Sequence, residues 1–331
     1  MERQQNDSRE TGETRPVVQM INIDQEYAGQ RVDNYLTRIL KGVPKTRVYR
    51  IIRKGEVRVN KKRVTADYRL QDGDLLRVPP VRISEKEKIV NPGAALIAKL
   101  ESSIIYEDKT LIIINKPSGI AVHGGSGINY GVIEAMRKIR PDEHHLELVH
   151  RLDRDTSGCL MLTKKRSMLR YLHAQLQEKH ISKIYNALVV GRWPSRKVLV
   201  NAPLLKNTLR SGERVVTVDI DEGKRSKTSF QVLERYSHKG ESATLIEASP
   251  ITGRTHQIRV HCLHAGYSIL GDEKYTKDEE NKRFRQFGLK RLFLHAAQLR
   301  LKLQDGTPLV IDAPLPADLQ QVLETLGSSE V

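Results

Sequence analysis

Two short apolar runs, 146–149 and 159–162, bracket the charged stretch His150-Arg151-Leu152-Asp153-Arg154-Asp155-Thr156-Ser157-Gly158. Four-residue apolar runs closed off by turn formers are too short for helices and suit strands buried in a sheet. The charged stretch then becomes a loop carried on rigid strands, where chemistry tends to sit. In it two carboxylates, Asp153 and Asp155, alternate with two guanidiniums, Arg151 and Arg154, and His150 stands at its start. A neighbouring cation favours ionised Asp, and an ionised carboxylate can act as nucleophile or base. The rival is a surface turn whose Asp side chains bond their own backbone. Spacing leaves open which Asp carries the chemistry.

At 331 residues the chain has room for two domains and a sizeable core. Its formal net charge of +16 calls for a polyanionic partner, and nucleic acid is the commonest. A membrane surface competes, but neither a basic amphipathic anchor nor a long apolar run is present. Cys159 and Cys262 form no Cys-x-x-Cys pair and read as buried free thiols of a reducing cytoplasm. Residues 1–16 are polar and lack the apolar core of a signal peptide, so a disordered tail is expected over 1–19.

Residues 20–83 read as a first compact unit. Val32, Tyr35, Leu36, Ile39 and Leu40 recur at helical spacing, Gly42 ends that helix, and Pro44 suits the first turn of the next. In the second helix Val48, Ile51 and Ile52 make an apolar face, while Arg47, Arg50 and Lys54 make a basic stripe elsewhere. Asn60-Lys61-Lys62-Arg63 reads as a turn, and a strand over 75–78 follows the turn Asp72-Gly73-Asp74. Residues 28–83 hold fifteen Lys and Arg against five Asp and Glu, so ten of the sixteen net charges lie here. Nine of these bases, Lys45, Arg47, Arg50, Arg53, Lys54, Arg58, Lys61, Lys62 and Arg63, fall on one helix and the turn after it. A lone charge run is usually a solvated face. Bases gathered opposite an apolar face suit a phosphate backbone, whose counterions are released on binding. Ala28-Gly29-Gln30-Arg31-Val32-Asp33 and the stretch from Val48 to Asn60 resemble the S4 RNA-binding domain. That resemblance implies an auxiliary module gripping structured RNA.

Over 84–103 a charged run and Asn91-Pro92-Gly93 indicate a linker, with a short helix over 94–100. From 104 to 331 strands dominate, at 104–106, 111–114, 182–190, 215–219, 228–236, 243–248, 292–294, 299–303 and 309–311, with helices near 132–139 and 168–176. This argues for an α+β fold with a mixed or antiparallel sheet. His123-Gly124-Gly125-Ser126-Gly127 lacks a Walker lysine, the Gly-x-Gly-x-x-Gly spacing and the serine elbow. In 252–261 a helix puts Ile258, Cys262 and Ala265 on one side, with His256 and Arg259 turned away. His256, His261, Cys262 and His264 meet no standard zinc spacing, so no metal is expected. Arg259 has no local carboxylate, so any partner is distant in sequence. Tyr185 alone reads as an ordinary strand aromatic.

Five segments together resemble the RluA family of pseudouridine synthases: Asn115-Lys116-Pro117-Ser118-Gly119, His150 to Gly158, Lys183-Ile184-Tyr185-Asn186-Ala187, Gly253 to His261, and Leu292-Phe293-Leu294-His295-Ala296. They stand in the family's order. The resemblance implies that Asp153, not Asp155, is the catalytic aspartate and that Tyr185 lies on the uracil and assists loss of the C5 proton. It implies that Arg259 pairs with the carboxylate and that Arg151 enters the RNA to displace the base. Cys159 departs from the usual Val, Ile or Leu and packs as a small apolar group. No cofactor is implied. With an S4-like domain in front, the resemblance is to members acting on large-subunit 23S ribosomal RNA. The RNA is expected naked or in an assembly intermediate, and the protein is expected to be a cytoplasmic monomer. Rival readings are a relative that modifies transfer RNA, a non-catalytic RNA-binding ribosome-assembly protein, and a metal-dependent nuclease built on Asp153, Asp155 and nearby His.

Overall fold

A computed structural model describes residues 17–40, 42–81, 93–124, 130–194, 197–208 and 214–327. Most of the expected tail, residues 84–92 of the expected linker and residues 125–127 of the glycine-rich loop lie outside the described residues. The chain divides into two compact units, Met1–Asn91 and Pro92–Val331.

The first unit carries β1 (Gln19–Asn22), α1 (Val32–Ile39), α2 (Lys45–Arg53), β2 (Arg58–Val59), β3 (Lys62–Arg63) and β4 (Leu75–Val78). Its strands pair antiparallel in the order β1-β4-β2-β3. Val32, Tyr35 and Leu36 from α1 meet Val48, Ile51 and Ile52 from α2 in one core, closed by Val57, Val59, Leu70 and Leu76. Each such side chain contributes roughly 1.5–3 kcal/mol by leaving water. Pro44 is the N-cap of α2, one residue earlier than the first turn. Asn60 and Lys61, at φ +49° and +67°, form a two-residue hairpin loop between β2 and β3. Two left-handed residues match the twist of the flanking strands. The turn is therefore tighter than the sequence indicates, and Lys62 and Arg63 are strand residues.

The second unit opens with α3 (Ala94–Glu101), whose Leu100 is fully buried in that unit's core. There follow β5 (Ile104–Glu107), β6 (Leu111–Lys116), α4 (Val132–Ile139), β7 (Glu147–Leu148), β8 (Ser157–Thr163), α5 (Arg166–Gln177), β9 (Ser182–Val190), β10 (Val198–Asn201), β11 (Leu204–Thr208) and β12 (Arg214–Val218). The remainder comprises β13 (Lys227–His238), β14 (Glu241–Pro250), α6 (Gln257–His264), α7 (Asp278–Arg285), β15 (Leu294–Lys302), β16 (Pro308–Asp312) and α8 (Ala317–Gly327). One mixed sheet runs β10-β13-β14-β9-β15-β8-β6-β5, with β16 on β15 and β7 on β8, while β11 and β12 form a separate hairpin. The fold is thus α+β, as expected. The runs at 292–294 and 299–303 are not two strands: β15 is continuous across His295-Ala296-Ala297-Gln298 between them.

Every residue of β8 is buried, which accounts for its unbroken apolar run. β8 and β15 run parallel, with Ser157 opposite His295 and Gly158 opposite Ala296. Gly158 sits at φ +109°, and a Cβ there would overlap the carbonyl oxygen and nitrogen of Ala296. The glycine that ends the charged loop is therefore required by a close backbone approach. Cys159 and Cys262 are buried free thiols, and burial pushes Cys159 up to about 12. Among the described residues no helix is long and apolar enough to cross a membrane.

Candidate active site

The loop between β7 and β8 is held from below by the segment that follows β6. Lys116 Nζ and the Gly119 N–H both donate to the Arg154 carbonyl, at 3.1 and 2.9 Å, and Ser118 Oγ donates to the Asp155 carbonyl at 2.7 Å. Lys116 is fully buried and also donates to the carbonyls of Pro117 and Ile120, at 2.8 and 2.9 Å. Three acceptors match the three donors of an ammonium. Burial nevertheless pushes this amine down to about 7, against the opposing pull of Asp155 and Asp153. At the start of the loop His150 Nε2 accepts the Met161 N–H at 3.2 Å. Burial, with the Lys183 charge second, holds that imidazole down to about 3, so it is a neutral structural group. The other end is pinned by Ser157 Oγ against His295 Nδ1 at 2.9 Å.

This clamping separates the two aspartates. Asp155 pairs with Arg154 Nε at 3.3 Å, half-exposed. Asp153 lines a cleft of about 430 Å³ with Arg151, Lys183, Tyr185, Arg254, His256 and Arg259. Asp153, Tyr185, Arg259 and Arg151 therefore share one wall-to-wall site, although they come from three distant stretches of sequence. Tyr185 projects from β9, and burial first, then the Asp153 charge, raises its phenol well above the ordinary range.

Arg259 stands on α6, which differs from the sidedness read in the sequence. Gln257, Ile258, Arg259, Val260, His261 and Cys262 are all buried, so the helix has no solvent face there. Its polar groups are matched inside. Gln257 bonds Thr252, the Arg254 N–H, the Lys227 carbonyl and Thr228. His261 bonds Thr228, Ser226 and the Ala202 carbonyl. Arg259 has the sequence-distant partner expected, Asp153, and a second, nearer one that the sequence reading did not include. Its Nε and Nη2 donate to both oxygens of Asp272, each at 2.7 Å, only thirteen residues on. Nη1 remains for Asp153 Oδ2, at 3.3 Å. Burial opposes the Arg259 charge, but Asp272 and then Asp153 outweigh it, so the guanidinium stays protonated. A fork so fixed delivers one N–H to one carboxylate oxygen.

Asp272, Lys116, His256 and Tyr275 are site residues that the sequence reading did not assign. Lys116 lay inside a quoted motif. Asp272 follows the apolar pair Ile269-Leu270 at no recognisable spacing, and only the return of the chain after α6 brings it to Arg259.

The nine bases of the first unit are all exposed. Lys45, Arg50, Arg53 and Arg63 line a groove of about 930 Å³ with Tyr49. Arg47, Lys54, Arg58, Lys61 and Lys62 lie outside that lining, and Arg58 donates to the carbonyls of Gly55 and Lys61, at 3.3 and 3.5 Å.

A cleft with one carboxylate aimed by a buried arginine and flanked by a buried tyrosine, in a chain that also carries a basic S4-like unit, is the layout of an RNA-modifying enzyme. Residues 110–264 match the family of RNA pseudouridylate synthases, and residues 30–76 match the S4 domain. The chain is 54% identical to ribosomal large subunit pseudouridine synthase C of Pasteurella multocida (strain Pm70), over 93% of its own length and 94% of the relative's. It is 52% identical to the protein of the same name from Escherichia coli (strain K12), over 95% and 98%. The solved structure of human RNA pseudouridylate synthase domain containing 4 aligns at a TM-score of 0.58 and 28% identity, across 70% of this chain and 96% of that one. This chain belongs to the RNA pseudouridylate synthase family and is an isomerase.

Proposed function

We propose that this protein converts uridines of large-subunit 23S ribosomal RNA to pseudouridine, with Asp153 as the nucleophile. The observation that carries the reading is Asp153, the single carboxylate on the cleft wall among the described residues, 3.3 Å from an arginine whose Nε and Nη2 are locked on Asp272. The choice of RNA is supported by two relatives named for the large ribosomal subunit, matched over nearly their whole lengths.

The target base leaves its stack before it can meet Asp153. Flipping costs a few kcal/mol. Arg151, exposed at the cleft, offsets part of this by filling the gap, and Tyr185 by stacking on the uracil. Asp153 attacks at C1′ or at C6. The bond from C1′ to N1 breaks, the uracil turns, a bond from C1′ to C5 forms, and the C5 proton leaves as N1 gains one. The reaction is balanced within the uridine, so no cofactor or metal is called for. Burial first, and then the Asp153 charge, raises the Tyr185 phenol, so it keeps its proton. Once Asp153 is esterified its charge is gone, and one cause of that shift disappears with it. The exposed bases over 45–63 grip the RNA backbone. We assign residues 20–83 to RNA binding and 104–331 to catalysis, in a monomer working in the cytoplasm.

Asp153→Asn tests the reading. With a 23S transcript carrying uridine tritiated at C5, the variant should bind RNA as the wild type does and release no tritium. Turnover at the wild-type rate would remove Asp153 from the chemistry. Mapping ribosomal pseudouridines with and without the gene would identify the target sites.

A further inference from the structure

His256 takes a backbone state that few side chains accept. It is the N-cap of α6 at φ +52° and ψ +20°, in the left-handed region, and its side chain makes no capping hydrogen bond. Non-glycine residues persist there only when the surroundings enforce it, and such residues cluster at functional sites. Here the imidazole is held by Tyr275. The Tyr275 hydroxyl lies 2.7 Å from His256 Nδ1 and accepts the Val216 N–H at 3.0 Å. Among the described residues that hydroxyl has no other acceptor for its own proton, so it donates to Nδ1. In that tautomer the ring proton sits on Nε2.

Nε2 faces Asp153 Oδ2 at 3.8 Å, and Arg259 Nη1 donates to the same oxygen at 3.3 Å. Oδ2 thus has one hydrogen bond, from Arg259, and His256 Nε2 as its next nitrogen neighbour. Among the described residues no donor meets Oδ1. We propose that His256 is a positioning residue for the reaction: with Arg259 it engages Oδ2 of Asp153 and leaves Oδ1 as the attacking atom. This rests on the reading of Asp153 as nucleophile. Attack by Oδ1 makes Oδ2 the carbonyl oxygen of the ester, still facing an N–H from each neighbour. Breaking the ester returns the carboxylate. No proton leaves His256 at either step. Burial favours the neutral ring this requires, against the pull of Asp153.

The test compares two replacements in the full-length protein, using tritium release from the 23S transcript. Glutamine places an N–H where Nε2 stood. Asparagine accepts the left-handed backbone readily but is too short to reach Asp153. We expect His256→Asn to lower kcat about a hundredfold, as for a misplacement near 1 Å, with KM and RNA affinity unchanged. His256→Gln should regain about tenfold of that loss, and Tyr275→Phe, which frees the tautomer, should cost about tenfold. Equal losses in the Asn and Gln variants, a loss confined to KM, or full activity of His256→Asn would each overturn the proposal. Asp153→Asn in the same assay separates the two questions. If it turns over normally, the nucleophile is wrong. If it is dead while His256→Asn runs at wild-type speed, only the role of His256 is lost.

Discussion

The two units treat positive charge in opposite ways. In the first, nine bases over 45–63 are exposed, and among the described residues only Lys54 has a carboxylate within reach, Glu56 at 4.0 Å. In the second, Arg259 is 8% exposed and each of its three nitrogens is committed, two to Asp272 and one to Asp153. Charge left in water keeps its pull on any phosphate but specifies no geometry, and salt screens it. Charge taken out of water and paired in a fork specifies the position of one carboxylate oxygen, at a desolvation cost its partners must match. Affinity is spread over many replaceable residues, and chemistry is concentrated in a few that are not.

The largest effect expected from this contrast is at Asp272. Asp272→Asn leaves the Arg259 charge buried with Asp153 as its one carboxylate. Breaking a buried pair in this way costs about 3–5 kcal/mol. The freed guanidinium then turns toward Asp153, and single-turnover tritium release should fall by about a hundredfold or more. Denaturant melts should show a stability loss in parallel. If the variant keeps both, the fork is not what aims the nucleophile, and the contrast between the units fails.

A backbone version of the same contrast uses two glycines. Gly29 in the first unit and Gly158 in the second both have positive φ, +82° and +109°. Nothing lies within 4 Å of a Cβ at Gly29, whereas one at Gly158 overlaps the backbone of Ala296. Gly29→Ala meets backbone strain alone, about 1–3 kcal/mol. Gly158→Ala also forces β8 from β15, so its melting temperature should fall further and turnover should drop with it. Equal shifts in the two variants would mean that the β8/β15 approach carries no special constraint.

These cases show what the sequence disclosed. The apolar run of β8, the helical spacing of α1 and α2 and the concentration of bases over 45–63 are local patterns, and each is where it was expected. The α+β class followed from the number of strands. The resemblance brought Asp153, Tyr185, Arg259 and Arg151 together, and the cleft does the same. What stayed hidden is non-local or lacks a pattern. α6 is buried all round over its first six residues, so the sidedness read from Ile258, Cys262 and Ala265 does not describe it. α7 reads Asp-Glu-Glu-Asn-Lys-Arg-Phe-Arg, with Asn281 and Phe284 its only buried residues, and offers no apolar stripe. Asp272 and Tyr275 gain meaning only from the contacts that tertiary folding gives them.

A smaller effect is expected at any one base of the first unit. Arg50→Ala removes one exposed guanidinium from the groove. Binding of 23S RNA should weaken modestly. The slope of log K against log salt should become shallower by about 0.7–0.9, the share of one phosphate. The chemical step, read at saturating RNA, should change far less than in Asp272→Asn. A slope that does not move would take Arg50 out of the phosphate contacts. A loss of turnover at saturation would erase the division of labour between the units.

The smallest effect concerns a pair of intermediate exposure. Glu107 Oε2 lies 2.8 Å from Arg140 Nη2, and its Oε1 lies 2.6 Å from Lys164 Nζ. The hydrogen bond from Arg140, opposed by burial and helped by Lys164, holds this carboxyl down to about 2. Its folded pKa lies below the ordinary glutamate value. The pair's stabilisation is therefore complete above the ordinary carboxylate range and is lost as pH falls through about 2. Glu107→Gln should cost under about 1 kcal/mol near neutrality, since the pair is partly solvated. The difference between variant and wild type should shrink as urea melts are taken down to pH 2.5. A gap that holds constant with pH would mean that glutamine loses packing, not charge. This pair would then not lie between the exposed bases over 45–63 and the locked Arg259 of the second unit.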